Sequence, residues 1–381
     1  MTLRIWAPPE LVLGFQENSS QPVTQTLSAL LQEFEGSYPS LRFEVEPKSP
    51  YGLGGLAHLL ITTHAAVPTQ MPDLVLVDTA ELPKLSRAGI PVAFEDVISP
   101  QDWEEFYPFA RQCVTFQGKS LGLPTYTDLL IAVYNVSLVK EPPRTWTELM
   151  EIKSSYIFPM AEGDGSAADI FLLQYLAAGG TLGKERMSLN PTIMAGVLRN
   201  YREAMDRGVI PDFVRGLGTL ETCWGVYLTG DAGMANVSSY QYQRDRSLLK
   251  RTRYTQIPTV SGKPLSLART WAWIVTTPDP QRQEIAAQVA LFLTNPEVLS
   301  KWVGSTPHLP VSKRALRKVV QDPAYYAFLE DLMQHAFPYP DLQSYSRIQP
   351  ILIHMIGSVL NGSNTPEQAA LAAAAQIAHL R

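Results

Sequence analysis

The histidines and cysteines of the chain lack the spacings that catalytic and metal-binding motifs need. Its six histidines include no HxH or HExxH arrangement, so no zinc-hydrolase helix is encoded locally. Cys113 and Cys223 are too few for a four-ligand zinc site and too far apart for a CxxC redox pair. The chain also has no GxSxG elbow, no GxxxxGKS/T loop and no GxGxxG after the first strand. The sequence therefore predicts no metal site and no cofactor.

Acidic residues offer a second kind of chemistry. A glycosidase needs two carboxyl groups held about 5 to 9.5 Å apart. Asp128 with Glu162 or Asp164 would meet this need only if the fold brought them together, because their spacing in the sequence does not. A carbohydrate-active hydrolase or lyase is therefore an alternative function that no local motif supports.

Composition excludes several classes of protein. The 381 residues exceed what one hydrophobic core ordinarily supports, which predicts two lobes. A formal net charge of -5 leaves no basic stripe for phosphates, so nucleic acid is not an expected partner. No run of about 18 apolar residues is present to span a bilayer. The most apolar stretch, residues 128–139, is interrupted by Asn135 and Ser137 and predicts a buried strand.

Strands and helices alternate from the start of the chain. Apolar residues from Leu27 to Phe34 form a helical stripe, those from Leu41 to Val45 alternate as in a half-buried strand, and residues 74–77 form a buried strand. This order predicts a mainly parallel sheet with helices on both faces. Ligands bind such sheets at the carboxyl ends of the strands, which here are Trp6–Glu10 and Asp78.

Helix starts are marked by capping boxes in two places. Thr145 with Glu148, and Thr365 with Gln368, have the spacing in which two side chains cap one helix reciprocally. Further helices are predicted over residues 168–178, 191–207, 280–294 and 323–336.

Six segments, spread over nearly the whole chain, carry a family resemblance. They are PDLVLVDTAELPKLSRAGI, GKSLGLPTYTDLLIAVYN, TWTEL, YLAAGGTL, LTGDAGMANVSSYQY and VLNGSNTPEQAALAAAAQIAHL. In this order they resemble the extracellular solute-binding proteins of ABC importers, in the sugar-binding group that includes the maltose-binding protein.

The resemblance implies an α/β fold of the class II periplasmic-binding-protein type. Each of its two lobes would be a mainly parallel sheet flanked by helices, and hinge strands would join them. The expected N-terminal lobe is 1–125 plus 270–309, and the expected C-terminal lobe is 126–269 plus 310–381.

The resemblance also implies a function. The protein would be a non-enzymatic receptor that captures a small solute, most simply a mono- or oligosaccharide, between its lobes and delivers it to the transmembrane subunits of an ABC permease. A sensor-linked solute receptor is a further alternative. Family members are exported, so we expect a monomer in the periplasm, or lipid-anchored at the outer face of the cell membrane, whose leader is removed in this chain. Membrane contact is expected only through a removed lipid anchor or the permease.

A sugar site needs aromatic faces to stack on and polar groups to bind hydroxyls. On the family pattern, Tyr126 and Asp128 lie beside the hinge, and Tyr240 takes a position where many relatives have a stacking tryptophan. Trp271 and Trp273, two apart in a predicted strand, point to the same face. Packing in the core or hinge is the alternative for each, and Trp224 fits either role. The predicted ligand-binding residues are Trp6, Glu10, Asp78, Tyr126, Asp128, Glu162, Asp164, Trp224, Asn236, Tyr240, Arg269, Trp271, Trp273 and Tyr339.

Overall fold

The computed structural model describes residues 1–13, 27–94, 98–183 and 187–380. The chain divides into two compact units. Unit 1 comprises Met1–Asp128, Ala268–Gln334 and Pro338–Asp341, and unit 2 comprises Leu129–Leu267, His335–Phe337 and Leu342–Arg381. Both units combine strands and helices, so the predicted α/β class is confirmed.

The strands of the described residues are β1 (Thr2–Ala7), β2 (Arg42–Pro47), β3 (Leu74–Asp78), β4 (Thr115–Phe116), β5 (Lys119–Ser120), β6 (Leu123–Asn135), β7 (Tyr156–Ile157), β8 (Met234–Ser238), β9 (Thr252–Thr255), β10 (Leu267–Val275), β11 (Leu309–Pro310) and β12 (Phe337–Pro338).

The α-helices of the same residues are α1 (Pro9–Leu13), α2 (Leu27–Ser37), α3 (Leu56–Ala66), α4 (Leu82–Arg87), α5 (Pro100–Trp103), α6 (Pro108–Val114), α7 (Trp146–Leu149), α8 (Ser166–Ala177), α9 (Pro191–Asp206), α10 (Leu220–Thr229), α11 (Ser239–Asp245), α12 (Pro280–Thr294), α13 (Pro296–Val303), α14 (Lys313–Val319), α15 (Pro323–Gln334), α16 (Leu342–Leu360) and α17 (Pro366–His379).

The sheet of unit 1 has the order β2-β1-β3-β10-β6, with β11 paired to β6. Strand β1 runs parallel to β2 and β3, whereas β10 runs antiparallel to β3. Strand β3 is buried along its whole length, as expected for a strand covered by helices on both faces. The carboxyl ends of β1 and β3 and the amino-terminal end of β10 therefore lie at one edge of this sheet.

The strands of unit 2 follow the order β6-β8-β7, with β9 also paired to β6. Strand β8 is antiparallel to β6 and parallel to β7. Helix α8 supplies much of the core, since most of its side chains, including Phe171 and Tyr175, are buried. A fully buried apolar side chain of this size contributes about 1.5 to 3 kcal/mol to the hydrophobic stabilisation of the unit.

Local sequence signals predict the helix starts closely. Both predicted capping boxes, at Thr145 and Thr365, are present. The apolar stretch after Asp128 is part of β6, and the four further helices appear as α8, α9, α12 and α15. Local patterns succeed here because a cap or an amphipathic stripe depends only on residues within a few positions in the chain.

Residues 310–334 differ from the lobe division inferred from the resemblance. That division assigns them to the C-terminal lobe, but the structure groups them with unit 1. Leu309 and Pro310 pair with β6, and Glu105 accepts hydrogen bonds from Ser312 Oγ and Arg314 Nε, both at 2.8 Å. These contacts join residues about 200 positions apart in sequence, which a local reading of the chain does not reveal.

Candidate functional site

Five side chains of unit 1 form what we call the Arg269 cluster: Tyr51, Asp78, Arg269, Trp271 and Tyr339. Asp78 Oδ2 accepts hydrogen bonds from Tyr51 Oη at 2.7 Å and from Arg269 Nε at 2.8 Å. The Arg269 Cζ atom lies 4.9 Å from the centroids of both the Tyr51 and Tyr339 rings. The Trp271 ring lies 6.2 Å from that of Tyr51. Four of these residues, all but Tyr51, belong to the predicted site.

Strand geometry explains how these residues meet. Asp78 is the last residue of β3, and in the antiparallel pairing it lies opposite Trp271 of β10. Arg269, two residues before Trp271, shares its face of the strand because side chains alternate along a strand. Tyr339 is held next to this end of β10, since its backbone N–H donates to Ala268 O at 2.9 Å.

The β10 backbone at the cluster is fixed by threonine side chains of β6. Thr125 Oγ1 donates to Trp271 O at 2.8 Å, and Thr127 Oγ1 donates to Arg269 O at 3.1 Å. Both threonines are fully buried. A buried hydroxyl group that has its hydrogen-bond partner is costly to displace, so these contacts hold Arg269 in place.

A glycine-rich loop after β2 positions Tyr51. Gly52 and Gly54 adopt positive φ angles of 83° and 82°, which residues with a Cβ atom rarely adopt. Gly55 has no room for a side chain, because an added Cβ would lie 2.5 Å from the Tyr51 carbonyl carbon. The loop precedes α3. Its glycines let the backbone turn tightly enough to bring the Tyr51 hydroxyl to Asp78.

Protein groups already occupy both carboxylate oxygens of Asp78. Its carboxylate is 2 % exposed, and Oδ1 accepts from Ala80 N at 2.9 Å while Oδ2 accepts from Tyr51 and Arg269. The sequence suggested Asp78 as an acceptor for ligand hydroxyls. The structure instead places it beneath Arg269, where it orients the guanidinium group.

Electrostatics at the cluster favour a charged arginine and a neutral tyrosine. Burial opposes the charge on Arg269, but the Asp78 carboxylate outweighs that effect and the pKa of Arg269 lies above its ordinary value. Desolvation of the hydroxyl group and the Asp78 charge raise the pKa of Tyr51 well above its ordinary value. Tyr51 therefore stays a hydrogen-bond donor throughout the physiological pH range.

A stack of rings continues from the cluster towards Asp128. Tyr126 stacks on Trp271 with ring centroids 6.0 Å apart, and the His308 imidazole lies 4.4 Å from the Tyr126 ring. His308 Nδ1 contacts both Asp128 carboxylate oxygens, at 3.0 and 2.9 Å. Burial, with the negative charge of Glu10 next in importance, raises the pKa of Tyr126 well above its ordinary value. Tyr126 and Asp128 thus adjoin the cluster, and Glu10 is near enough for its charge to act on Tyr126.

The other predicted residues of unit 1 pack more deeply. Trp273 is fully buried in the core, so the core alternative describes it. Trp6 is 8 % exposed, and its ring face is covered by the Lys48 ammonium group at 5.0 Å. Lys48 also pairs with Glu46 at 2.7 Å, and this hydrogen bond lowers the pKa of Glu46.

In unit 2, two predicted residues are core groups. Trp224 is 1 % exposed, stacks on Tyr227 and donates from Nε1 to Asp245 at 2.6 Å. Asn236 is fully buried on β8 and accepts a hydrogen bond from the Tyr156 hydroxyl group. The structure therefore favours the packing alternative for both.

The remaining predicted residues of unit 2 lie at helix starts. Asp164 accepts hydrogen bonds from the backbone N and the hydroxyl group of Ser166, at 3.0 and 2.5 Å, at the start of α8. Glu162 is exposed two residues earlier. Tyr240 is half-buried in the first turn of α11. Their roles in ligand binding stay predictions.

Tyr51 and His308 were not among the predicted residues. Tyr51 follows the carboxyl end of β2, so the strand-end rule applied to Asp78 would also have found it. His308 has no such signal, because its place beside Tyr126 and Asp128 depends on the pairing of β11 with β6. In the described ranges, no group of three or more His, Cys, Asp or Glu side chains is arranged to hold a metal ion.

Comparison with known proteins identifies the family of this chain. The family model for bacterial extracellular solute-binding proteins matches residues 29–327. This chain belongs to that family. A maltotriose-binding protein of Pyrococcus abyssi is 27 % identical over 144 residues, which are 38 % of this chain and 30 % of that protein. The alignment thus spans less than a third of the length of that relative.

Solved structures of such solute-binding proteins share the fold along the whole chain. The cyclic alpha-maltosyl-1,6-maltose binding protein from Arthrobacter globiformis superposes with a TM-score of 0.81 at 18 % identity, covering 99 % of this chain and 97 % of its own. The maltose-bound T. maritima MalE3 gives a TM-score of 0.73 at 18 % identity and covers both chains completely. The predicted two-lobe binding-protein fold is confirmed. The extracellular family also implies an extracytoplasmic location.

No helix of the described residues is both long and apolar enough to cross a bilayer.

Proposed function

We propose that this solute-binding protein is the substrate-binding component of an ABC importer and that its solute is a mono- or oligosaccharide. The protein captures the sugar and delivers it to the transmembrane subunits of the permease. It acts outside the cytoplasm, as a monomer, either free or lipid-anchored, and it returns the sugar chemically unchanged.

One observation carries the choice of sugar as solute: the Arg269 cluster. Trp271, Tyr51 and Tyr339 bring aromatic rings around a fixed guanidinium group at the edge of the unit 1 sheet. Sugars combine apolar C–H faces, which stack on aromatic rings, with hydroxyl groups, which need directed hydrogen bonds. The matched proteins are named for maltotriose, maltose and a cyclic maltoside. These names support a sugar as the solute.

A thermal-shift screen tests this proposal. The panel contains glucose, maltose, maltotriose, other disaccharides, D-glucuronate, glucose 6-phosphate, polyamines and amino acids. A ligand at about 100 times its dissociation constant adds roughly 2.7 kcal/mol of stability, which raises the melting temperature by several degrees. We expect a shift with maltosides, and chromatography should recover the sugar intact. Sugar fragments after incubation, or shifts confined to polyamines or amino acids, would contradict the proposal.

A further inference from the structure

Two arginine–aspartate pairs in unit 1 share a similar degree of burial but differ in geometry. In the Arg282–Asp73 pair, Nε and Nη2 bind the two carboxylate oxygens at 2.7 and 2.5 Å, and Nη2 also donates to Thr2 O at 2.8 Å. In the Arg269–Asp78 pair, only Nε is engaged, at 2.8 Å. The first pair is bidentate and has a purely structural arrangement.

The second pair leaves the end of the guanidinium group open. An arginine has five N–H donors, and four of them are on the two Nη atoms. Neither Nη atom of Arg269 donates to any residue within the described ranges, although the Arg269 side chain is 37 % exposed and its partner Asp78 is 2 % exposed. An arginine held by a buried carboxylate through Nε alone presents its two amino groups in a fixed, planar arrangement.

The planar pair of donors matches two adjacent oxygen atoms. Such a pair occurs in a vicinal diol of a sugar and in a carboxylate or phosphate group. The Tyr51 and Tyr339 rings contact the guanidinium group, and Trp271 adjoins Tyr51. A pyranose ring that placed two hydroxyl oxygens on the Nη atoms would therefore also meet aromatic surface.

The charges around Arg269 favour a neutral diol over an anion as the ligand of its Nη groups. A site for anions needs an excess of positive charge, but here carboxylates offset the nearby cations. Asp78 pairs with Arg269, Asp341 pairs with Arg87 at 3.4 Å, and the charge of Lys84 acts on Glu81. Burial and repulsion from Asp78 and Asp341 nevertheless raise the pKa of Glu81, so negative charge is already crowded at this edge.

We propose that Arg269 is the specificity-determining residue of unit 1 and that its two Nη groups donate to a vicinal diol of a neutral sugar. Asp78 and Tyr51 are positioning residues that act through Arg269. This inference rests on the proposed function, because it assigns the part of the sugar that unit 1 recognises.

Titration calorimetry with maltotriose as the probe tests the role of Arg269. Lysine keeps the charge but loses the paired donors, so R269K should weaken binding by about 10- to 100-fold. R282K is the matched control: it alters an arginine that is bound to its buried aspartate through two nitrogen atoms and lies outside the cluster, so it should change affinity by less than about 2-fold. If R269K does not fold, the double variant D78N/R269Q removes both charges together and serves as the second test.

Monodeoxy maltoses give a readout that a structural role would not change. In the natural protein, removal of either hydroxyl group of the bound diol should cost about 10-fold or more in affinity. In R269K the same removal should cost little, because the donors that read the diol are gone. R282K should discriminate between maltose and its deoxy forms as the natural protein does.

The outcomes separate this inference from the proposed function. Maltotriose binding that R269K leaves within about 2-fold of the natural affinity overturns the role of Arg269 and leaves the sugar-receptor proposal standing. Binding of glucuronate or glucose 6-phosphate in place of neutral sugars overturns the assignment to a neutral diol. Failure of every sugar in the panel to bind overturns the proposed function, and this inference with it.

Discussion

Units 1 and 2 use the polar residues at their strand ends in different ways. In unit 1, Asp78 at the end of β3 holds Arg269, whose Nη groups remain open. In unit 2, Ser238 at the end of β8 forms a capping box with Gln241 at the start of α11. The Ser238 and Gln241 side chains thus bind the backbone of α11, whereas Arg269 keeps its Nη groups available for a ligand.

Capping separates the units in the same way. Among the described residues, unit 2 has four capping boxes, whereas the helices of unit 1 have at most a single side-chain cap, as at Ser99, Asp279 and Ser312. The four boxes start α7, α10, α11 and α17. Asp78 also caps the short helix that follows β3, by accepting from Ala80 N, so unit 1 differs in that its cap residue additionally holds an arginine with open donors.

Two tryptophans give the largest expected contrast. Trp224→Ala should lower the free energy of unfolding by about 3 to 5 kcal/mol, because it empties a buried site in unit 2, yet leave maltotriose affinity unchanged in the folded protein. Trp271→Ala should cost similar stability and also weaken maltotriose binding by at least about 10-fold. Denaturant unfolding and calorimetry measure the two effects, and the Phe variants serve if either protein fails to fold. Equal affinity losses for both variants would remove the distinction between the units.

Two aspartates sharpen the account within unit 1. Asp78→Asn and Asp73→Asn each weaken a pair formed by a buried carboxylate and a partly exposed arginine, so each should cost about 2 to 3 kcal/mol of stability. Only Asp78→Asn should also weaken maltotriose binding, because only Asp78 positions Arg269. Unchanged affinity in Asp78→Asn would mean that Arg269 keeps its orientation without this carboxylate.

The two cysteines report on the units separately. Burial raises the pKa of both Cys113 and Cys223 to about 12, so at pH 8 about one thiol in 10,000 is ionised in the native protein. Because an unfolded thiol titrates near pH 9, each cysteine should cost about 1.4 kcal/mol of stability per pH unit between pH 9 and 12.

Thiol-labelling rates measure how far burial protects each thiol from reaction in the native protein. In the single-cysteine variants C113S and C223S, the remaining thiol should react at least about 1,000-fold more slowly than in denaturant, at a rate set by opening of its own unit. Rapid labelling of native C113S at pH 8 would show that the Cys223 environment in unit 2 is open.

The smallest effect concerns the capping boxes of unit 2. Thr365→Ala removes the side-chain cap of α17 and should cost about 1 kcal/mol of stability without changing sugar affinity. Thr365→Ser, which keeps the hydroxyl group, is the control. A loss of sugar affinity in the alanine variant would show that the stability of α17 affects ligand binding.

Much of this molecule could be predicted from its sequence. The two capping boxes, the buried strand ending at Asp78, the amphipathic helices and the family all follow from local pattern or ordered motifs. The candidate site was predicted less completely: Asp78, Arg269, Trp271 and Tyr339 come together as suggested, but Tyr51 and His308 were missed. Trp224 and Asn236 are buried in unit 2, which strand-end or aromatic character does not reveal.

Caps, turns and amphipathic stripes can be predicted from sequence because they join residues a few positions apart. Which charged residues meet depends instead on how the strands pair. Asp78 and Arg269 are 191 residues apart in the chain, and the pairing of β3 with β10 brings them to 2.8 Å. Folding also gives both carboxylate oxygens of Asp78 protein partners and leaves the open donors on Arg269, because a side chain's free hydrogen-bonding capacity depends on every neighbour that folding supplies.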